Sequence, residues 1–305
     1  MKIQNQYKTN LDLLSFFGMT FLISWGIWIL LINTESQSQI GFWVAGFGPT
    51  LSATTLHLLN KTWRNLGNLF RYPWHIQAHW YLISIFGTPM VMLVALGFHI
   101  GMGGSLPRYI DTNHMVTSLE QWPLILIVYG YIFIFTALGE EIGWRGYALP
   151  RMLNRFSPFI TSILLGIIWA CWHLPLFWIS GDFHQQLPIS WFILQILGST
   201  FIYTWIFKHT KEKLWPALLF HTSSNAAVGL LPILPLDNSN SLRPLWLVVI
   251  FLWIAVGVLL WFERKSFFLQ PTSLSPLNKN VPNSKSVDIL NTEHYKEKTE
   301  NENKI

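Results

Sequence analysis

A helix must present about 20 apolar residues in a row to cross the hydrocarbon core of a bilayer. About eight stretches of this chain approach or meet that length: roughly Leu13–Ile32, Gly41–Leu59, Trp80–Ile100, Leu124–Leu138 running on through a pair of glutamates, Phe159–Ile179, Ile189–Phe207, Leu214–Leu231 and Leu245–Phe262. An open sheet cannot satisfy its backbone in lipid, so the elements are helices. The expected fold is all-α, a polytopic membrane helical bundle of about eight transmembrane helices. Composition agrees: 11% of the 305 residues are charged, against roughly 25% in soluble domains.

The basic residues fall in alternate loops, which sets orientation. Lys2 and Lys8 precede the first span, Lys61, Arg64 and Arg71 follow the second, Arg151 and Arg155 follow the fourth, Lys208, Lys211 and Lys213 precede the seventh, and Arg264 and Lys265 follow the eighth. The intervening loops carry only Arg108 and Arg243. This predicts both termini in the cytoplasm and a cell-membrane protein. No small-residue cleavage site follows the first apolar run, which reads as a retained span. The net charge of +5 sits in loops and tail; it fits an anionic leaflet and gives no argument for nucleic acid. A single cysteine, Cys171, excludes an intrachain disulfide and a Cys-rich metal site. Apolar and basic residues mix between Lys61 and His79, which suits a short interfacial helix. Residues 1–265 read as one membrane domain, and 266–305, rich in Ser, Asn, Pro, Lys and Glu, as a disordered cytoplasmic tail.

Ionisable groups at membrane depth are costly and point to function. Glu140 and Glu141 are the only acidic residues between Glu120 and Asp182. Glu141 and Arg145, four apart, share a helix face, while Glu140 is turned about 100° away. The fifth span carries His173, with Trp169 one turn before it, and the seventh carries His221 and Asn225 on one face. These groups need partners in lipid, so they should converge. A carboxylate and an imidazole can take a proton from water. A His N–H beside an Asn amide can hold an oxyanion. Glu and His are equally zinc ligands, with Glu141, His173 and His221 as candidates. The set points to amide hydrolysis within the membrane, with zinc left open. There is no H-E-x-x-H or G-x-S-x-G pattern. Counting along helices puts Glu141 and His173 at similar depth and His221 nearer the surface.

These residues resemble the CAAX-protease and bacteriocin-processing family of intramembrane proteases. E-E-x-x-x-R is matched by Glu140, Glu141 and Arg145; F-x-x-x-H by His173, with Trp169 in place of Phe; H-x-x-x-N by His221 and Asn225. The motif-bearing core covers about residues 121–229. The resemblance implies an endopeptidase whose cavity opens to the cytoplasm and which acts near the C-terminus of a prenylated, CAAX-like or other membrane-delivered peptide. It further implies that Glu140 and His173 activate water, that His221 and Asn225 hold the oxyanion, and that Glu141 and Arg145 orient the site. Family members are described both as zinc enzymes and as glutamate-dependent proteases without a catalytic metal. The expected partners are a peptide or lipidated protein substrate and membrane lipid. The rival readings are a non-catalytic immunity or scaffold protein and a proton-coupled transporter.

Overall fold

The computed structural model describes residues 2–71, 75–105, 122–234 and 241–269. Its helices are α1 (Lys2–Asn33), α2 (Gln39–Gly46), α3 (Gly48–Leu59), α4 (Trp63–Phe70), α5 (Ala78–Gly101), α6 (Trp122–Ile132), α7 (Leu138–Gly143), α8 (Leu149–Leu153), α9 (Pro158–Trp172), α10 (Ile189–His209), α11 (Trp215–Leu230), α12 (Arg243–Phe262) and α13 (Arg264–Phe268). π-helical turns at Phe133–Ala137 and Trp144–Ala148 join α6, α7 and α8 into one continuous rod. The fold is all-helical. Charges in 106–121 and 235–240, and the tail from 270 onward, lie outside the described residues.

Among the described residues six helical stretches are long and apolar enough to cross a membrane. The other two expected spans take a different form. The second divides at Phe47 into α2 and α3. Pro49 has no N–H to give to the preceding turn, so a helix starts at it rather than running through it. Ser24 of α1 donates to the Ala45 carbonyl at the break, at 2.7 Å, satisfying a group that lipid could not. The seventh expected span, α11, has 16 residues, about 24 Å of helix.

The rod of α6, α7 and α8 is buried from α7 onward, while its α6 part leaves Leu126, Ile127 and Tyr131 exposed. Its α7 segment packs against α3 and α11, and the following π-turn packs against α9. Residues 139–149 are buried except Ile142, which is half-buried. Two glycines make the approach close. A Cβ on Gly143 would sit 2.5 Å from Pro49 Cβ and 2.6 Å from its carbonyl. One on Gly139 would sit 3.0 Å from the Phe47 ring. Thr50 ties the same contact by donating to the Leu138 carbonyl at 2.7 Å. Behind the rod stands an aromatic wall: Phe16 stacks on Tyr147 at 5.1 Å, and Trp172 lies 4.8 Å from Trp28 and 5.8 Å from Trp144 between ring centroids.

The amphipathic segment expected after the second span forms α4 and closes over the start of α11. Leu214 N–H donates to the Leu69 carbonyl at 3.1 Å, Trp215 Nε1 to the Phe70 carbonyl at 3.0 Å, and Lys213 Nζ to the Asn68 carbonyl at 2.8 Å. At the other end of the chain, α13 carries ordered structure past residue 265: Phe267 is fully buried. Lys208 Nζ donates to the Ser266 carbonyl at 2.8 Å, Ser266 Oγ donates to Glu263 at 2.6 Å, and His209 Nε2 lies 3.1 Å from Glu263.

Two measurements test this packing. Gly143→Ala pushes a methyl into the Pro49 backbone and should cost about 1–3 kcal/mol, read as a lowered melting midpoint in detergent. Gly130→Ala, where nothing lies within 4 Å, should be neutral or slightly stabilising. The Ser266 hydrogen bond, with His209 adding to it and burial opposing it, holds the Glu263 carboxyl below its ordinary range. A carboxylate lowered on folding stabilises at neutral pH, and that contribution is lost as pH falls through the lowered value. Glu263→Gln should therefore flatten the acid side of a melting-midpoint curve taken from about pH 7 to about pH 3.

Candidate active site

Five of the six candidate residues come together. Glu140, Glu141, Arg145, His173 and His221 are all buried and lie within one cluster. Arg145 Nη1 donates to Glu141 Oε1 at 2.8 Å, keeping the expected i, i+4 pair although the π-turn begins between them. His221 Nδ1 lies 2.7 Å from the same oxygen. A carboxylate only accepts, so His221 donates through Nδ1 and leaves Nε2 with its lone pair. This bond puts His221 level with Glu141, not nearer the surface as helix counting gave. The reason is that α11 starts beneath α4 instead of at a free end.

His173 is fixed in the same way from the other side. Its Nδ1 lies 2.8 Å from the Trp169 carbonyl, which can only accept. Its Nε2 is therefore the free nitrogen, and it faces Glu140 Oε2 at 3.9 Å. His221 Nε2 faces Glu140 Oε1, also at 3.9 Å. Both distances are too long for a direct hydrogen bond and suit one small bridging molecule such as water. Glu140 thus stands between two imidazoles, each presenting an acceptor nitrogen.

Asn225 is placed apart from this group. It sits one turn beyond His221 on α11, is exposed, and no hydrogen bond joins it to the cluster. Of the zinc candidates Glu141, His173 and His221, the first already has two partners. Oε1 of Glu141 is shared between Arg145 and His221, and among the described residues no three His, Cys, Asp or Glu side chains are arranged to hold a metal ion.

Three features escaped the sequence reading. Trp169 is not simply an aromatic replacement for Phe: its Nε1 donates to Glu140 Oε2 at 2.7 Å. Tyr203 of α10 lies over the Arg145 guanidinium at 3.6 Å from the ring centroid, and Trp169 covers the other part of it at 3.9 Å. Cation–π contact of this kind strengthens when desolvated. It accounts for a buried guanidinium whose Nε and Nη2 have no hydrogen-bond partner. Finally, Asp182 and His184 form a pair at 2.6 Å, with the His184 ring 5.8 Å from that of His173. The D-x-H spacing was the signal for that pair. For Tyr203 there was none, because an aromatic in a membrane span is unremarkable.

Two comparisons bear on the identity of this arrangement. Residues 121–227 match the model of the family described as type II CAAX prenyl endopeptidase Rce1-like. The matched segment is the one that carries the three motifs. A CAAX prenyl protease 2 of Methanococcus maripaludis is 29% identical over 186 residues, which cover 59% of this chain and 64% of the relative. The match thus spans less than two thirds of that relative's length. With six apolar helices of spanning length among the described residues, the chain is an integral multi-pass membrane protein.

Removing one member of a buried ion pair leaves the other charge unpaired and costs about 3–5 kcal/mol. Arg145→Met should do this to Glu141 and lower the detergent unfolding midpoint sharply. Adding Glu141→Gln to that variant should restore part of the loss, a coupling measured by a double-mutant cycle.

Proposed function

We propose that this chain is an intramembrane endopeptidase that hydrolyses a peptide bond near the C-terminus of a prenylated, CAAX-like or other membrane-delivered peptide. The observation that carries the reading is the pair of 3.9 Å gaps between Glu140 and the Nε2 atoms of His173 and His221. Water in the gap to His173 meets a carboxylate oxygen and an imidazole lone pair together, as general-base activation requires. The match to the Rce1-like model and the likeness to a CAAX prenyl protease support the reaction class.

In this mechanism water attacks the scissile carbonyl and gives its proton to the Glu140 and His173 pair. The carbonyl oxygen takes up negative charge. His221 rests with a lone pair on Nε2; one proton taken up there from solvent before the attack lets it donate to that oxygen while Glu141 holds Nδ1, and exposed Asn225 is given no step. The C–N bond then breaks and the proton held by the pair passes to the leaving amine. Arg145 holds Glu141, and through it the orientation of His221. No step is assigned to a metal, because Glu141 is already committed to Arg145 and His221.

The test is incubation of the purified protein in detergent or lipid with a peptide library that includes farnesylated CAAX-type sequences. Cleavage is expected, with at least a 100-fold loss in Glu140→Gln and in His173→Ala while both variants stay folded and inserted. Full activity in Glu140→Gln would remove the role given to that residue. Loss of wild-type cleavage on chelation, regained with added zinc, would replace the metal-free mechanism.

A further inference from the structure

We infer that Trp169 is the positioning residue of the site, setting Glu140, Arg145 and His173 at once through its indole N–H, its ring face and its backbone carbonyl. The inference rests on the hydrolytic reading above and deepens it. Three contacts carry it. The indole Nε1 donates to Glu140 Oε2 at 2.7 Å. The Arg145 guanidinium carbon lies 3.9 Å from the Trp169 ring centroid. The Trp169 carbonyl accepts from His173 Nδ1 at 2.8 Å.

Each contact fixes a different variable. The backbone carbonyl selects the His173 tautomer, and any residue at this position supplies it. The ring face, opposed by Tyr203, holds the arginine that binds Glu141, and any aromatic ring can contribute. The N–H is what a phenylalanine lacks. It pins Glu140 Oε2, so that the carboxylate plane is set and Oε1 stays toward His221 Nε2, 3.9 Å away. Glu140 and Trp169 are both buried, so water does not compete freely for that oxygen. A charge-assisted hydrogen bond is among the stronger kinds and specifies direction. Trp169 Nε1 donates directly to the Glu140 carboxylate, whereas the Nε2 atoms of His173 and His221 stand 3.9 Å from it, beyond direct hydrogen-bond distance. In a chain with Phe at this position, Glu140 would have to take its orientation from another group.

The experiment separates the N–H from the ring. Trp169→Phe keeps an aromatic face and the carbonyl but loses the donor together with part of the ring volume. Incorporation of 3-benzothienylalanine at position 169 keeps the bicyclic shape and replaces N–H by sulfur, so packing survives even where phenylalanine leaves a void. Both are assayed per folded molecule on the peptide that the wild-type protein cleaves best. The expected result for each is a fall in kcat of about 10- to 100-fold, the worth of one hydrogen bond to a charged group, with KM unchanged, as for a group that acts through Glu140. A merely structural role would lower the melting midpoint and leave kcat per folded molecule intact. Wild-type kcat with the sulfur analogue, or a change confined to KM, overturns the assignment. If those results accompany an inactive Glu140→Gln, only the positioning role falls. An active Glu140→Gln removes the underlying mechanism instead.

Discussion

The bundle is organised around one guanidinium that has no access to water. Arg145 is fully buried, with Glu141 as its counter-ion and two aromatic faces around it. A charge placed this way is tolerable only while all of its surroundings stay put. The surroundings come from four separate elements: Glu141 from α7, Trp169 from α9, Tyr203 from α10 and, through Glu141, His221 from α11. Helices far apart in sequence are thereby held to a common centre. Apolar contact alone would hold them weakly, since lipid chains solvate apolar side chains as well as other helices do.

Close backbone approach makes that centre reachable. Gly139 and Gly143 let the α7 rod lie against the start of α3, and Gly146 leaves room for Leu69 beneath α4. The π-turns on either side of α7 widen the helix where the ionisable groups sit. Such turns recur at functional sites because they re-aim side chains without ending the helix.

Much of this was legible in the residues. Apolar runs gave the helices, four-residue spacing gave the Glu141–Arg145 bond, and the cost of unpaired polar groups in lipid gave the convergence of Glu140, His173 and His221. What was not legible has physical causes. A π-turn is a backbone hydrogen-bond pattern with no side-chain period of its own. The break at Phe47 competed with an apolar run that looked continuous, although Pro49 marked it. His221 and Asn225 share a face by counting, yet one is buried and the other exposed, because burial depends on which neighbouring helix ends where. The donor role of Trp169 depends on a ring orientation that only tertiary packing sets.

The three bonds between the α4 region and the first turn of α11 join a surface element to an interior one. His221 lies less than two turns along that same stiff helix. α4 and the imidazole are thus the two ends of one short, rigid connection, so the position of His221 is fixed in part by an element that carries none of the site's ionisable groups.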